Sequence, residues 1–211
     1  MGSDNGDKVV GVKSFIVIIP PLLITLGIGT ALATALLTYV GDTAATKAAI
    51  AAAVANEQFY LFAALVCLGR AVAWVNFFPM TYKSALEWKG NVRSNPFILE
   101  GTDKGETVLY KETGVAGGYN RANRSLHHMV ENMAVVLAAL LPCGQIAPKP
   151  VFYLVAAWSA GRVMHQLGYV HGYGKHAPGF MLTTFSALAL EGICALVALE
   201  GFGVPILGEY L

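Results

Sequence analysis

Long apolar stretches alternate with short polar ones along this chain, and the stretches have a physically meaningful length. An α-helix rising about 1.5 Å per residue needs roughly 20 residues to cross about 30 Å of hydrocarbon. Five stretches approach or exceed that length, namely Ser14 to Val40, Val54 to Tyr82, Leu126 to Leu141, Val151 to Val170 and Phe180 to Val204. The third is short unless its polar first turns extend it. The pattern predicts an all-α integral membrane bundle. Its Gly and Ala content predicts close helix packing, because small side chains let backbones approach one another in lipid.

Turn chemistry marks the ends of these spans. Pro142, Pro148, Pro150 and Pro178, with Gly144, Gly172 and Gly174, fall where helices should stop, and Asn95-Pro96 breaks any helix entering the long polar segment. That segment, Lys83 to Arg124, carries seven Lys or Arg residues against five acidic ones. The positive-inside rule therefore assigns it to the cytoplasm. The N-terminus is then cytoplasmic, with a lumenal loop around Gly41 to Ala53, a lumenal turn near Pro142 to Pro150, a cytoplasmic turn near Gly172 to Pro178 and a lumenal C-terminus. The Ala-rich tract Ala44 to Ala55 is read either as part of that first loop or as an extension of the second helix. Stretch one follows a mixed leader holding Asp4, Asp7, Lys8 and Lys13 and is about twice as long as a signal-peptide core, which predicts a retained anchor. Asn123-Arg124-Ser125 forms a glycosylation sequon that this topology predicts to stay unmodified.

Composition narrows the class. Hydrophobic residues make up 55% of the 211 and charged residues 13%, about half the usual charged share of a soluble domain. The net charge of +1 comes with no concentrated basic face, which argues against a nucleic-acid partner. Cys67, Cys143 and Cys194 lie in or beside spans without paired spacing, so they imply neither a disulfide framework nor a zinc site and read as small apolar core residues.

Polar side chains deep in a span are costly and are candidates for function. Arg121, Arg124, His128 and Glu131 recur at spacings of 3, 4 and 3, a stripe about 80° wide at roughly 100° per residue, with Asn132 beside it and His127 on its flank. On the next helix Arg162, His165 and Tyr169 fall within about 60°. Two antiparallel neighbours could turn these stripes toward one another as a polar cleft opening on the cytoplasmic side. Arg forks suit carboxylates and a buried Glu suits an ammonium group. Glutathione offers two carboxylates, an ammonium and a thiol. Lowering a free thiol pKa of about 8.5 by two units needs about 2.7 kcal/mol of differential stabilisation, within reach of one well-placed donor or cation.

Other readings of the same residues stay open from spacing alone. Arg124, His128 and Glu131 can pair among themselves simply to tolerate burial. Arg121 and Arg124 can be anchors at a helix end, and Tyr169 part of an interfacial aromatic belt. Arg70 and Glu191 can partner one another or the cleft. His165, His171 and His176 raise a haem or metal reading. No i, i+4 pair of histidines occurs on any span and Glu131 is a poor neighbour for haem, so no metal site is assigned.

The run Arg121-Ala-Asn-Arg124-Ser-Leu-His-His128-Met-Val-Glu131-Asn132 resembles the signature of the MAPEG family, the membrane-associated proteins of eicosanoid and glutathione metabolism. Gly161-Arg162-Val-Met-His165-Gln-Leu-Gly-Tyr169 is similar to the Arg-x-x-His-x-x-x-Tyr run of the following helix, in the same order and register, and the resemblance covers about Val54 to Gly203. It implies a four-helix bundle over residues 54–211, with residues 1–53 contributing an added N-terminal transmembrane helix and loop. It further implies a homotrimer in an endoplasmic-reticulum-type membrane, with glutathione held between subunits near the cytoplasmic surface. Arg121, Arg124, His128, Glu131, Arg162, His165 and Tyr169 would bind glutathione or hold its contacts. His128 stands where the family usually has Asn. His176, in Lys175-His176-Ala-Pro-Gly-Phe180, takes the approximate place of an Arg beside the thiol, leaving Tyr169 and His176 as the nearest thiolate stabilisers. The implied activity is transfer of glutathione to a lipophilic electrophile or reduction of lipid hydroperoxides. The alternative is a member without chemistry, serving as a membrane scaffold or partner subunit with the added helix as its docking surface.

Overall fold

The computed structural model describes residues 12–82, 86, 97–101 and 108–204. Asp4, Asp7 and Lys8 of the leader, and Asn95-Pro96, lie outside the described residues. The chain folds as an all-α membrane bundle: α1 (Val12–Tyr39), α2 (Thr43–Ala55), α3 (Phe59–Phe77) with a 3-10 turn at Phe78–Tyr82, α4 (Gly114–Ile146), α5 (Pro148–Val170) and α6 (Ala177–Gly201). Strands β1 (Leu99–Gly101) and β2 (Val108–Tyr110) pair antiparallel ahead of α4, with Leu99 opposite Tyr110.

By length and apolarity α1, α3 with its extension, α4 and α6 can each cross a membrane. Helix α5 is long enough but more polar, and the reason is its place: it packs against α3, α4 and α6, with Ser159, Arg162, His165 and Gln166 all buried. Fully buried Gln166 donates to the carbonyls of Val75 at 2.9 Å and Ala122 at 3.2 Å, tying α5 to both α3 and α4. Around it the core is closed by Trp158, Met129, Leu140, Phe78, Tyr82 and Tyr119.

Several boundaries differ from the sequence expectation, each for a local reason. The tract expected as a loop around Gly41 to Ala53 is helix α2. Alanine is the strongest helix former, and the Asp42 side chain caps it by accepting from the amides of Ala44 and Ala45, both at 3.0 Å. It does not extend α3, because Glu57 turns the chain with a positive φ of 57°. The polar segment does not run to Arg124 either. Helix α4 begins at Gly114, where φ is +63°, so both Arg121 and Arg124 are helical. Burial of Gly117, Gly118, Tyr119 and Asn120 overrides the weak helix propensity of the glycines there. Pro142 does not end α4, which continues to Ile146, where Cys143 and Gly144 remain buried. The turn into α5 is Ala147 alone, followed by Pro148 in the first helical turn, where a missing N–H costs nothing.

Helix α1 stands apart, with its surface almost wholly exposed and its packing centred on Ile18 and Leu22. Arg70 is committed there rather than to Glu191: its guanidinium donates to the Leu22 carbonyl at 2.9 Å and to Thr25 Oγ1 at 3.3 Å.

Candidate functional site

Helices α4 and α5 run antiparallel, and the register between them is written in three side-chain ties. Arg121 donates twice to the Val170 carbonyl, at 3.0 and 3.3 Å. Ser125 Oγ lies 2.8 Å from His165 Nδ1. Arg162 Nη1 lies 3.1 Å from His128 Nδ1. Each step along α4, from 121 to 125 to 128, is matched by a step back along α5, from 170 to 165 to 162. The two stripes therefore face each other.

The α4 stripe splits into an inner and an outer row. The inner residues are committed to α5: Arg121, which also donates to the Glu112 carbonyl at 2.6 Å, has its guanidinium filled by backbone acceptors. The outer residues, Arg124 and Glu131, form an ion pair at 3.0 Å with side chains 52% and 53% exposed. Tyr169 follows His165 by one turn and its ring packs 5.6 Å from the imidazole.

Helix α6 adds the third wall, and glycines set how closely it approaches. A Cβ on Gly179 would collide with the backbone of His165 and lie 2.7 Å from the Gly161 carbonyl oxygen, and one on Gly168 would strike the Lys175 carbonyl. The turn between α5 and α6 uses Gly172 and Gly174, both with positive φ. That close start carries His176 to within 5.1 Å of the His165 ring and 5.0 Å of the Tyr169 ring. Phe180 stacks over His128 at 6.0 Å with planes 16° apart.

The result is a cavity of 230 Å³ lined by Arg124, His128, His165, Tyr169, Tyr173, His176 and Phe180. Two buried nitrogens, His176 Nδ1 in its wall and Arg162 Nε beyond it, meet no hydrogen-bond partner among the described residues. The Arg162 guanidinium lies 4.9 Å over the Trp158 ring, a cation–π contact in a dry setting. A second cavity of 310 Å³ continues from His128 and Phe180 down the bundle past Val135, Trp158 and Leu188 to Glu191. Adjoining the first, a third cavity of 330 Å³ is bounded by Phe97, Tyr110 and Lys111 at the β-hairpin and shares Arg124, Tyr169 and Tyr173.

The residues expected to bind glutathione therefore gather at this end of the bundle, though not in one role. Arg124, His128, His165, Tyr169 and His176 line the first cavity, while Arg121 lies in the third, Arg162 in the second and Glu131 pairs at the rim. Four contributors escaped sequence reading. Ser125 was legible in principle, lying one turn from both Arg121 and His128. Asn120 clamps the hairpin, accepting from the Ile98 amide at 2.7 Å and donating to the carbonyls of Ile98 at 2.7 Å and Lys111 at 2.8 Å. Tyr173 donates to Glu112 at 3.3 Å. Burial pushes its phenol above the ordinary tyrosine value and the Glu112 carboxylate adds to the rise, so it stays a donor. Phe180 reads in sequence as one more apolar span residue.

A membrane bundle whose central helices turn two basic, histidine-bearing stripes into a common cleft defines a class of helical membrane protein with a polar site at one end. The chain belongs to the MAPEG family, whose model matches residues 39–198, taking in α2 and the four helices of the bundle. No curated protein and no solved structure matches it.

Proposed function

We propose that this protein is a membrane glutathione transferase, with peroxidase capacity, acting as a homotrimer. The observation that carries the reading is the outer ion pair. Two half-exposed charged side chains, Arg124 and Glu131, stand on a membrane helix, where lipid is a poor neighbour for either. A charged ligand between subunits satisfies both: the Arg124 fork takes a glutathione carboxylate and Glu131 takes its ammonium. The cavity beside them would receive the thiol, with Tyr169 and the unpartnered His176 Nδ1 as donors toward a thiolate. Arg121, His128, Arg162 and His165 then serve chiefly by holding α4 and α5 in register. In transfer, the thiolate sulfur bonds to an electrophilic carbon while a leaving group departs with its electron pair, or the π pair of a conjugated acceptor moves onto the acceptor, and the thiol proton ends on the leaving group, the product or water. In peroxide reduction, two glutathiones become one disulfide while the hydroperoxide becomes alcohol and water. The cavity running from Phe180 past Trp158 and Leu188, apolar along those residues and polar at Arg162 and Glu191, gives a lipophilic acceptor a route from the bilayer. Orientation with this end in the cytoplasm, in an endoplasmic-reticulum-type membrane, completes the proposal.

The test is glutathione binding to purified protein by calorimetry, with thiolate absorbance followed in parallel. Binding in the micromolar to low millimolar range, weakened at least tenfold by Arg124→Ala and by Glu131→Ala, supports the site. No binding at millimolar glutathione sinks it. A second reading, a scaffold or partner subunit without chemistry that uses α1 as its docking surface, is favoured by the internal bonding of His128 and His165. Binding without a thiolate signal or conjugation of a model electrophile would select it.

A further inference from the structure

Away from the cleft, near the other end of the bundle, two thiols on different helices meet. Cys143 is on α4, one turn before that helix ends at Ile146, and Cys194 is on α6, which runs on to Gly201. Their sulfurs are 3.2 Å apart. At about 1.5 Å per residue, Cys143 lies roughly 22 Å beyond His128 along α4, and Cys194 roughly 27 Å beyond His176 along α6. Their spacing in sequence says nothing of this meeting. It follows from α4 and α6 packing at both ends of their length.

We propose that Cys143 and Cys194 are a reversible dithiol–disulfide site that stitches α4 to α6, taking a disulfide-class oxidant as its partner. The two thiols differ in access: Cys143 is buried and Cys194 is partly exposed. Cys194 is therefore the attacking thiol and Cys143 the resolving one. In the first step the Cys194 thiolate attacks one sulfur of the oxidant's disulfide. A mixed disulfide forms, and the departing half of the oxidant leaves as a thiolate that takes up the Cys194 proton. In the second step Cys143 gives up its proton and attacks the Cys194 sulfur, expelling the oxidant's other half as a second thiolate. The protein loses two electrons and two protons, and one oxidant disulfide becomes two thiols. With the resolving sulfur already in contact, the second step is intramolecular and outruns release of the mixed disulfide by added thiol. Excess reduced thiol reverses the sequence. If the cleft end faces the cytoplasm, as its basic segment indicates, this pair lies toward the other compartment, where disulfides persist.

The experiment uses the full-length protein in detergent, equilibrated with glutathione disulfide as the probe and then denatured and labelled with a maleimide of resolvable mass. Fully reduced protein takes three labels, matching its three cysteines. The oxidised protein should take one label, on Cys67, and mass spectrometry without reductant should find the Cys143 and Cys194 peptides joined, lighter than their sum by two hydrogens. Cys67→Ser should leave that joined peptide unchanged. Cys143→Ser should abolish it and trap glutathione on Cys194. Three labels after oxidation, glutathione adducts without a joined peptide in the wild type, or a link through Cys67 would each overturn the proposal.

Discussion

His165 illustrates how much one buried side chain depends on its neighbour. Its ring is 4% exposed and its Nδ1 lies against Ser125, itself 1% exposed. Removing the hydroxyl with Ser125→Ala takes away the hydrogen-bond partner of a buried imidazole nitrogen, a cost of about 1–3 kcal/mol. Thermal unfolding in detergent should report that loss, and an unchanged midpoint would show that His165 finds another partner. The sequon at Asn123 is decided at this scale too. Asn123 is 6% exposed within α4 and donates to the Tyr119 carbonyl at 3.2 Å, so it offers no acceptor nitrogen to a modifying enzyme on either side of the membrane. The polar stripe containing Arg124, His128 and Glu131 was legible in sequence from its periodicity. That Arg121 and His128 bond inward while Arg124 and Glu131 face outward was not, because a few tens of degrees around a helix decide it and periodicity does not resolve that angle.

Among the elements, the α5–α6 corner governs the site. Gly179→Ala places a methyl group against the backbone of His165, and backbone cannot give way as a flexible side chain can. The expected outcome is destabilisation by more than about 2 kcal/mol and loss of glutathione binding as His176 withdraws. Gly192→Ala, on the same helix with open space around it, should be neutral or slightly stabilising, since glycine in a helix interior costs about 1 kcal/mol relative to alanine. Equal behaviour of the two variants in unfolding and calorimetry would refute the close-approach argument. The β-hairpin is held differently, by the three hydrogen bonds of Asn120. Asn120→Ala should leave the bundle folded and raise the rate of proteolytic cleavage before α4 by about tenfold, the equivalent of about 1.4 kcal/mol of local opening. A cleavage rate equal to wild type would show that the hairpin is secured elsewhere.

For the whole molecule, the separation of α1 from the bundle makes a sharp prediction. Its contact rests on Ile18, Leu22 and the two hydrogen bonds of Arg70. Deleting residues 1–41 alone would leave the Arg70 guanidinium in hydrocarbon, so the deletion is combined with Arg70→Leu. That variant should keep its oligomeric state in native mass spectrometry and bind glutathione within about twofold of wild type, a difference near 0.4 kcal/mol. Loss of oligomer or of binding would instead make α1 part of the working assembly.

The sequence by itself determined the class of fold, because span length and apolarity are one-dimensional properties that need no partner to read. It also singled out the polar residues that the structure gathers at one end of the bundle, since charge inside an apolar stretch stands out on cost alone. Only the tertiary structure decided that α2 is a helix apart from α3, that α4 continues through Pro142, and that His176 reaches His165. These depend on caps, on a positive φ and on glycines that admit a neighbouring backbone, and on contacts between residues far apart in the chain. The meeting of Cys143 with Cys194 is of the same kind, for spacing along a chain carries no information about which helix ends will pack together.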